Sequence, residues 1–380
     1  MKKVLFATTA ASTLLIGGIA SAQGVALFGD ARLGLGYNIF NDGSIRTETD
    51  ADGDITTPDD LRAVSRVRFG VNMTGETDSG ITFGATIRAD NAVGGEGGPQ
   101  DLGQTAGSVF VSGSFGTLTM GDTNAADEQW VGDVPGDYSL TSLGDLDETR
   151  YVSNGGSFGS DSSADFAANP EARPTIRYDF DIMGFGVSVS SNRDLTDVGV
   201  GAGYAADFGG GSWSIGGGYY NFDSFIDTSE GDLQVVENAA GDLVVVPGAE
   251  IVSEIPSGDQ WSVGLKGDFD AFAFGATYTS VSTDDNAAGE AFKADNLLLG
   301  ASFTFDAWSV GAVYGKILNG EELAESIDGS DSYELSAQYD LGGGAALMGG
   351  VRRTYNLGEN EDGSEADATY IGDFGISMSF

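Results

Sequence analysis

Large apolar side chains recur at every second position along most of this chain. Leu33, Leu35 and Tyr37 alternate with Arg32, Gly34, Gly36 and Asn38; Val67, Phe69, Val71 and Met73 alternate with Arg66, Arg68, Gly70 and Asn72; Phe83, Ala85 and Ile87 alternate with Gly84, Thr86 and Arg88. One class is bulky and apolar, the other is Gly, Ser, Thr, Asn and Arg. A period of two predicts strands with one apolar and one polar face. Sixteen such segments can be laid out, at 26–38, 62–74, 80–90, 106–113, 116–122, 173–181, 184–192, 198–207, 212–222, 260–268, 271–279, 294–305, 307–316, 332–340, 345–355 and 369–380. The breaks between them alternate short, as at 114–115, 182–183 and 269–270, with long, as at 39–61, 123–172 and 223–259. Only 193–197 is a short break in a long position.

The start of the chain sets the compartment. Met1-Lys2-Lys3, an apolar stretch ending at Ile19, and the small-residue triplet Ala20-Ser21-Ala22 read as a secretory leader over residues 1–22, leaving 23–380 as the folded part. No later segment offers the roughly 18 consecutive apolar residues of a spanning helix. A chain that enters a bilayer without such a helix must use strands closed into a barrel, because hydrocarbon offers no partner to an open edge. The even strand count, tight turns at one end and long loops at the other fit an antiparallel transmembrane barrel with its apolar face to lipid. A soluble sandwich has no reason to collect its long loops at one end.

Trp213-Ser214-Ile215-Gly216, Trp261-Ser262-Val263-Gly264 and Trp308-Ser309-Val310-Gly311 each put Trp on the apolar parity at a strand start. Tyr178, Tyr204, Tyr219, Tyr278, Tyr314 and Tyr339 share that parity. Such placement predicts aromatic girdles at the membrane–water boundaries. The final segment alternates Tyr370, Gly372, Phe374, Ile376, Met378 and Phe380, which resembles the terminal strand of outer-membrane barrels.

Charge then narrows the function. The formal charge is −41, and loss of Lys2 and Lys3 with the leader makes it −43. Nucleic acid is excluded as a partner, since phosphate binding needs a basic surface. Acidity of this size can signal disorder, but 22 Phe, 13 Tyr and 4 Trp argue for an ordered chain. There is no Cys and no His, which removes thiolate chemistry and the commonest general base. The chain is not expected to be an enzyme.

Residues 29–37, Gly-Asp-Ala-Arg-Leu-Gly-Leu-Gly-Tyr, look like the first strand of the alphaproteobacterial general porins of the photosynthetic-bacterium type. The likeness continues through Ser65-Arg66-Val67-Arg68-Phe69, Thr77-Asp78-Ser79-Gly80-Ile81, Val109–Gly116 with Met120-Gly121-Asp122, and Tyr339-Asp340-Leu341-Gly342-Gly343-Gly344. It is dense in the N-terminal third. The resemblance implies a sixteen-stranded barrel, a homotrimer in outer-membrane lipid, and a third loop folded into the pore. Here the first and fifth loops are longer than the family pattern.

The candidate chemistry is electrostatic. Arg32, Arg62, Arg66, Arg68 and Arg88 share the polar parity of the first three strands, and so are expected to form a basic wall. The 123–172 segment supplies the opposing acids Asp127, Glu128, Asp133, Asp137, Asp145, Asp147 and Glu148, and its position after strand five suits the constriction loop. A cationic wall facing an anionic loop across water would orient dipolar solutes, hinder apolar ones and tune ion preference. No cofactor is required. Asp145, Asp147 and Glu148 could ligate Ca²⁺ through carboxylate oxygens, though no complete EF-hand loop is present, and a plainly solvated acidic loop is the other reading. The expected function is general diffusion of small hydrophilic solutes and ions. A substrate-selective channel, or an adhesin on the same barrel, is the alternative.

Overall fold

The computed structural model describes residues 23–38, 48–49, 55–56, 61–93, 104–144, 146, 151–154, 174–192, 195–229, 234–237, 243–246, 251–285, 291, 293–322, 325–326, 331–354 and 368–380. Residues 1–22, expected as a leader, lie outside them. Sixteen long strands dominate. In chain order the first eight are β1 (Gln23–Tyr37), β2 (Leu61–Glu76), β3 (Thr82–Val93), β4 (Gln104–Gly113), β5 (Gly116–Gly121), β6 (Pro174–Ile182), β7 (Phe185–Asn192) and β8 (Val198–Phe208). The second eight are β9 (Gly211–Phe222), β10 (Gly258–Phe269), β11 (Phe272–Thr283), β12 (Lys293–Phe305), β13 (Trp308–Glu322), β14 (Asp331–Gly342), β15 (Ala345–Thr354) and β16 (Thr369–Ser379).

Each strand pairs antiparallel with the next, and β16 returns to β1 in the register Leu33↔Ile376, Leu35↔Phe374 and Tyr37↔Gly372. The Phe380 amide donates to the Gly29 carbonyl at 2.9 Å and extends the seam. Closure joins the two ends of the sheet, so neither is left as an open edge.

The apolar parity faces outward. Leu35, Phe69, Ile87, Val189, Trp261, Leu335 and Phe374 are all exposed, the reverse of a soluble protein's pattern and the arrangement that hydrocarbon solvates. Aromatic residues gather at both heights. Near the short turns Trp213 meets Tyr204 at 5.5 Å and Trp308 meets Tyr339 at 4.9 Å; near the long loops Trp261 meets Tyr278 at 5.1 Å and Tyr314 meets Tyr333 at 4.8 Å. Of the three Trp-Ser-x-Gly openings, two therefore lie in one girdle and the third in the other, because β10 runs in the opposite direction to β9 and β13.

Three short turns place a non-glycine first residue in the left-handed region, Met183 at φ 52°, Asp270 at φ 56° and Asp306 at φ 50°. Two-residue hairpins need such angles to match strand twist. The 223–259 connection, a long break in the sequence pattern, carries a ribbon in which Phe225–Ser229 pairs with Ile251–Ile255 and Gln234–Glu237 pairs with Leu243–Val246. Its β-branched runs Val235-Val236 and Val244-Val245-Val246 were the available signal.

β5 is the shortest wall strand, at six residues. It ends at Gly121, whose φ of +108° turns the chain away from the wall. A Cβ there would sit 2.9 Å from the Ser108 Cα, so the bend requires glycine. The third long loop therefore leaves at mid-height.

Candidate functional site: the lumen and its third loop

From Asn124 to Gly144 the chain runs along the polar face of the wall. The short helix α1 (Ala126–Gln129) starts where the Ala126 amide donates to Ser190 Oγ on β7 at 2.9 Å, and the Trp130 indole N–H donates to Ser188 Oγ at 2.8 Å. On β10 Ser262 Oγ donates to the Asp127 carbonyl at 2.6 Å. On β14 the Tyr138 amide donates to Ser336 Oγ at 2.7 Å, and on β16 the Thr141 amide donates to Asp373 Oδ2 at 2.6 Å. Arg32 of β1 reaches the Leu140 carbonyl from its Nη1 at 2.8 Å, and Arg352 of β15 reaches Leu143 at 3.0 Å. One segment can touch β7, β10, β14, β15, β16 and β1 on their polar face only by lying inside the barrel.

Wall glycines make room for it. A Cβ at Gly311 would stand 2.6 Å from the Gly136 carbonyl carbon, and one at Gly218 2.6 Å from that of Asp127. These contacts are with backbone, which cannot swing aside, so side chains at these two positions would push the loop off its seat. The interior has no central core. Among the described residues the buried apolar clusters lie where loop and wall meet, one from Ala125, Val152, Tyr220, Phe222, Val281 and Ala294, the other from Val134, Leu146, Leu298 and Val313.

Arg32, Arg62, Arg66, Arg68 and Arg88 all take the parity opposite to exposed Leu33, Leu61, Val67, Phe69 and Ile87. Cross-strand register sets Arg32 against Arg66 and Asp30 against Arg68. Asp30 Oδ1 accepts from Arg66 Nη2 at 2.9 Å and lies among three guanidiniums.

Two of the expected acids are withdrawn from water. Asp127 and Glu128 were expected to face the arginines across water; they are instead 0% and 1% exposed, pressed between α1 and the opposite wall. Asn124 Nδ2 donates to Glu128 Oε1 at 2.9 Å. Burial pushes the Asp127 carboxyl up to about 7, against its own and the Glu128 backbone amides and the Ser153 hydroxyl. Asp137 is half-buried and accepts from the Ser139 amide at 2.8 Å, Ser139 Oγ at 2.6 Å and the Gly144 amide at 3.1 Å. Its pKa is also raised, chiefly by burial and further by nearby Asp373. Asp133 is half-buried and lines, with Lys266, Trp130 and Phe274, a cavity of about 340 Å³ between loop and wall. Asp145, Asp147 and Glu148 lie outside the described residues. Among the described residues no group of three or more His, Cys, Asp or Glu is placed to hold a metal.

Several lumen charges did not emerge from the sequence. Asp30 and Asp373 belong to β1 and β16, and Glu334 and Arg352 to β14 and β15. Arg352 lies in electrostatic reach of Asp137 and Glu334, and Glu334 is fully buried. Parity alone marks each as lumen-facing. The approach of Asp373 to Arg32 depends on barrel closure, which local pattern does not contain.

A model of the Gram-negative porin family matches residues 7–359. The chain is similar to a porin of Rhodobacter capsulatus, 29% identical over 365 residues that span 94% of this chain and all of that protein. It superposes on a refined porin structure with a TM-score of 0.59 at 22% identity, covering 94% of this chain and 100% of the other. A triple mutant of the Rhodopseudomonas blastica porin gives 0.53 at 19% identity with the same coverage. At these identities the two structures speak for the fold.

Proposed function

The chain belongs to the Gram-negative porin family, and on that premise we propose how its lumen screens what passes. It is an outer-membrane diffusion porin: small hydrophilic solutes and ions cross through the water-filled barrel, and no reaction is catalysed. The finer reading is that the narrowest passage lies between the 124–144 strap and the arginines of β1–β3. The observation that supports it is the strap's course along β7–β16 to β1, opposite the wall that bears Arg62, Arg66, Arg68 and Arg88.

The negative side of this gap differs from the simple acidic loop. It consists of loop carbonyls such as Leu140, the half-buried Asp137 and the wall carboxylate Asp373, while Asp30 sits within the arginine wall itself. Fixed cations and fixed dipoles facing each other across water order that water transversely. A polar solute replaces the ordered water's hydrogen bonds, whereas an apolar one forfeits them. Charge at the mouths sets the ion preference. The proposal requires no cofactor.

A homotrimer completes the reading. Gly29, Ala31 and Ala85 keep the outward parity on β1 and β3, where neighbouring walls could approach closely. Single-channel recording in a planar bilayer tests the function. A general pore gives large, continuously open steps that scale with salt; a sealed barrel of the adhesin kind gives almost no current, and that result would overturn the reading.

A further inference from the structure

Beneath the strap lies the cavity of about 340 Å³, which the transverse gap does not use. Its volume stands near the lower end of the roughly 300–1,000 Å³ typical of small-molecule sites. Cross-strand register fixes its place. The strap covers Gly216 and Gly264, where an added Cβ would meet Trp130 and Val131. One row nearer the short turns Ser214 pairs with Lys266, and in the row after that Ser212 stands between Asp207 and Asp268. The cavity therefore lies on the short-turn side of the strap.

Its charges are sorted along the wall. A Cβ at Gly132, where φ is +57°, would stand 2.5 Å from Lys266 Nζ, so the ammonium comes up against the strap. Half-buried Asp133 follows Gly132 in the chain. Lys266 and Asp133 already have partners within the protein, and a zwitterion would offer each a further charge of opposite sign. Asp268 is two residues along β10 from Lys266, about 7 Å at roughly 3.4 Å each. Asp268 and Asp207 are both exposed. Trp130 borders the cavity as an apolar plate. Its ring rests on the bare backbone of Gly186 and Gly203, and its indole N–H is held by Ser188 Oγ at 2.8 Å. Three carboxylates stand against one ammonium, so the cavity is net negative, and Glu128, buried in its lining, adds nothing positive.

We propose that this cavity is a subsite for a basic amino acid. Its α-carboxylate meets Lys266 and its α-ammonium Asp133, its side-chain cation reaches Asp207 and Asp268, and its stem or guanidinium plane lies on Trp130. The two ends of the cavity read the two ends of the solute. A neutral amino acid leaves the outer carboxylates without a counter-charge, and a diamine brings a like charge to Lys266. The inference rests on the pore reading, which admits such solutes to the lumen, and deepens it by naming the class that pauses there.

Equilibrium dialysis of the full chain in detergent, with labelled L-arginine as probe, tests it. Agmatine lacks the carboxylate and L-citrulline lacks the side-chain charge. Each should compete about fivefold less well than arginine, the upper value for one partly exposed ion pair. Lys266→Gln should abolish the preference over agmatine, and Asp207→Asn with Asp268→Asn the preference over citrulline. These are ratios within one folded protein, so a lower folded yield does not imitate them, and lumen positions tolerate polar exchange. Equal competition by all three solutes, or a Lys266→Gln chain that keeps its preference over agmatine, overturns the proposal. So does arginine binding undiminished in Asp207→Asn with Asp268→Asn, which would give the arginine to the acidic loops. Dialysis needs no current. A chain that binds arginine as described but does not conduct would lose the pore reading alone, and one that conducts without binding arginine would lose the subsite alone.

Discussion

Asp127→Asn tests whether the strap's anchor is sensitive to proton concentration. In the seated strap Asp127 is fully buried, and burial raises its pKa from 3.8 to about 7. Once released into water it returns to the ordinary carboxylate value. A group raised in the folded state favours that state in protonated form, so its stabilisation is complete below about 3.8 and is lost as the pH climbs through 7. At about 1.4 kcal/mol per pKa unit the whole span is on the order of 4 kcal/mol. Between pH 5 and pH 8 the change is roughly 2–3 kcal/mol, or a factor near 100 in the released-to-seated ratio. Single-channel current noise should therefore rise from pH 5 to pH 8 in the native chain, and stay low at both values in Asp127→Asn. Other titrating groups nearby are Glu128 on α1, Tyr220 on β9, and Asp197, which accepts from the Tyr220 hydroxyl at 2.7 Å. Asp197 is itself raised by burial, so an Asp197→Asn control separates the two anchors. A native chain with flat noise, or an Asp127→Asn chain that keeps the full pH response, would refute the reasoning.

Arg66→Ser with Arg68→Ser should raise conductance and strengthen cation preference while the barrel assembles normally, since lumen positions tolerate polar exchange; lower conductance would place the gap elsewhere. Phe69→Arg, on the outward parity, should cut folded yield in vesicles, because a cation near the bilayer midplane costs about 2–4 kcal/mol. Cation preference should be evident in reversal potentials near roughly 0.1 M salt and fade near roughly 1 M, as the Debye length falls from about 10 Å to about 3 Å; anion preference at low salt would give control to the arginine wall. Native electrophoresis without heating should show a species well above the monomer, and a monomeric light-scattering mass in mild detergent would remove the trimer.

The strands and their facing were legible because the signal is local. Arg66, Val67, Arg68 and Phe69 declare two faces within four residues, and bilayer and water enforce that division along the wall. The basic wall followed for the same reason. The strap's acids did not. Whether Asp127 meets water or Ser153 depends on contacts with β9 and β10, far along the chain, and a charged residue in a long loop reads as solvated by default. The wall glycines were visible as a composition, but Gly218 and Gly311 acquire their meaning only when cross-strand register aligns them beneath one path. The approach of Asp373 to Arg32 likewise exists only once β16 meets β1.

That last dependence bears on the order of assembly. The strap holds bonds to both sides of the seam, Arg32 to Leu140 on the β1 side and Thr141 to Asp373 on the β16 side. Asn38 and Tyr370, bonded across the same seam, are 332 residues apart in the chain. A strap bonded to both sides of the seam has all its contacts only once the edges meet. Full seating of the strap therefore waits on sealing of the wall, which is delayed by the long reach of the seam's contacts. A folding intermediate with every hairpin formed would still be an open sheet, without a finished passage to conduct through.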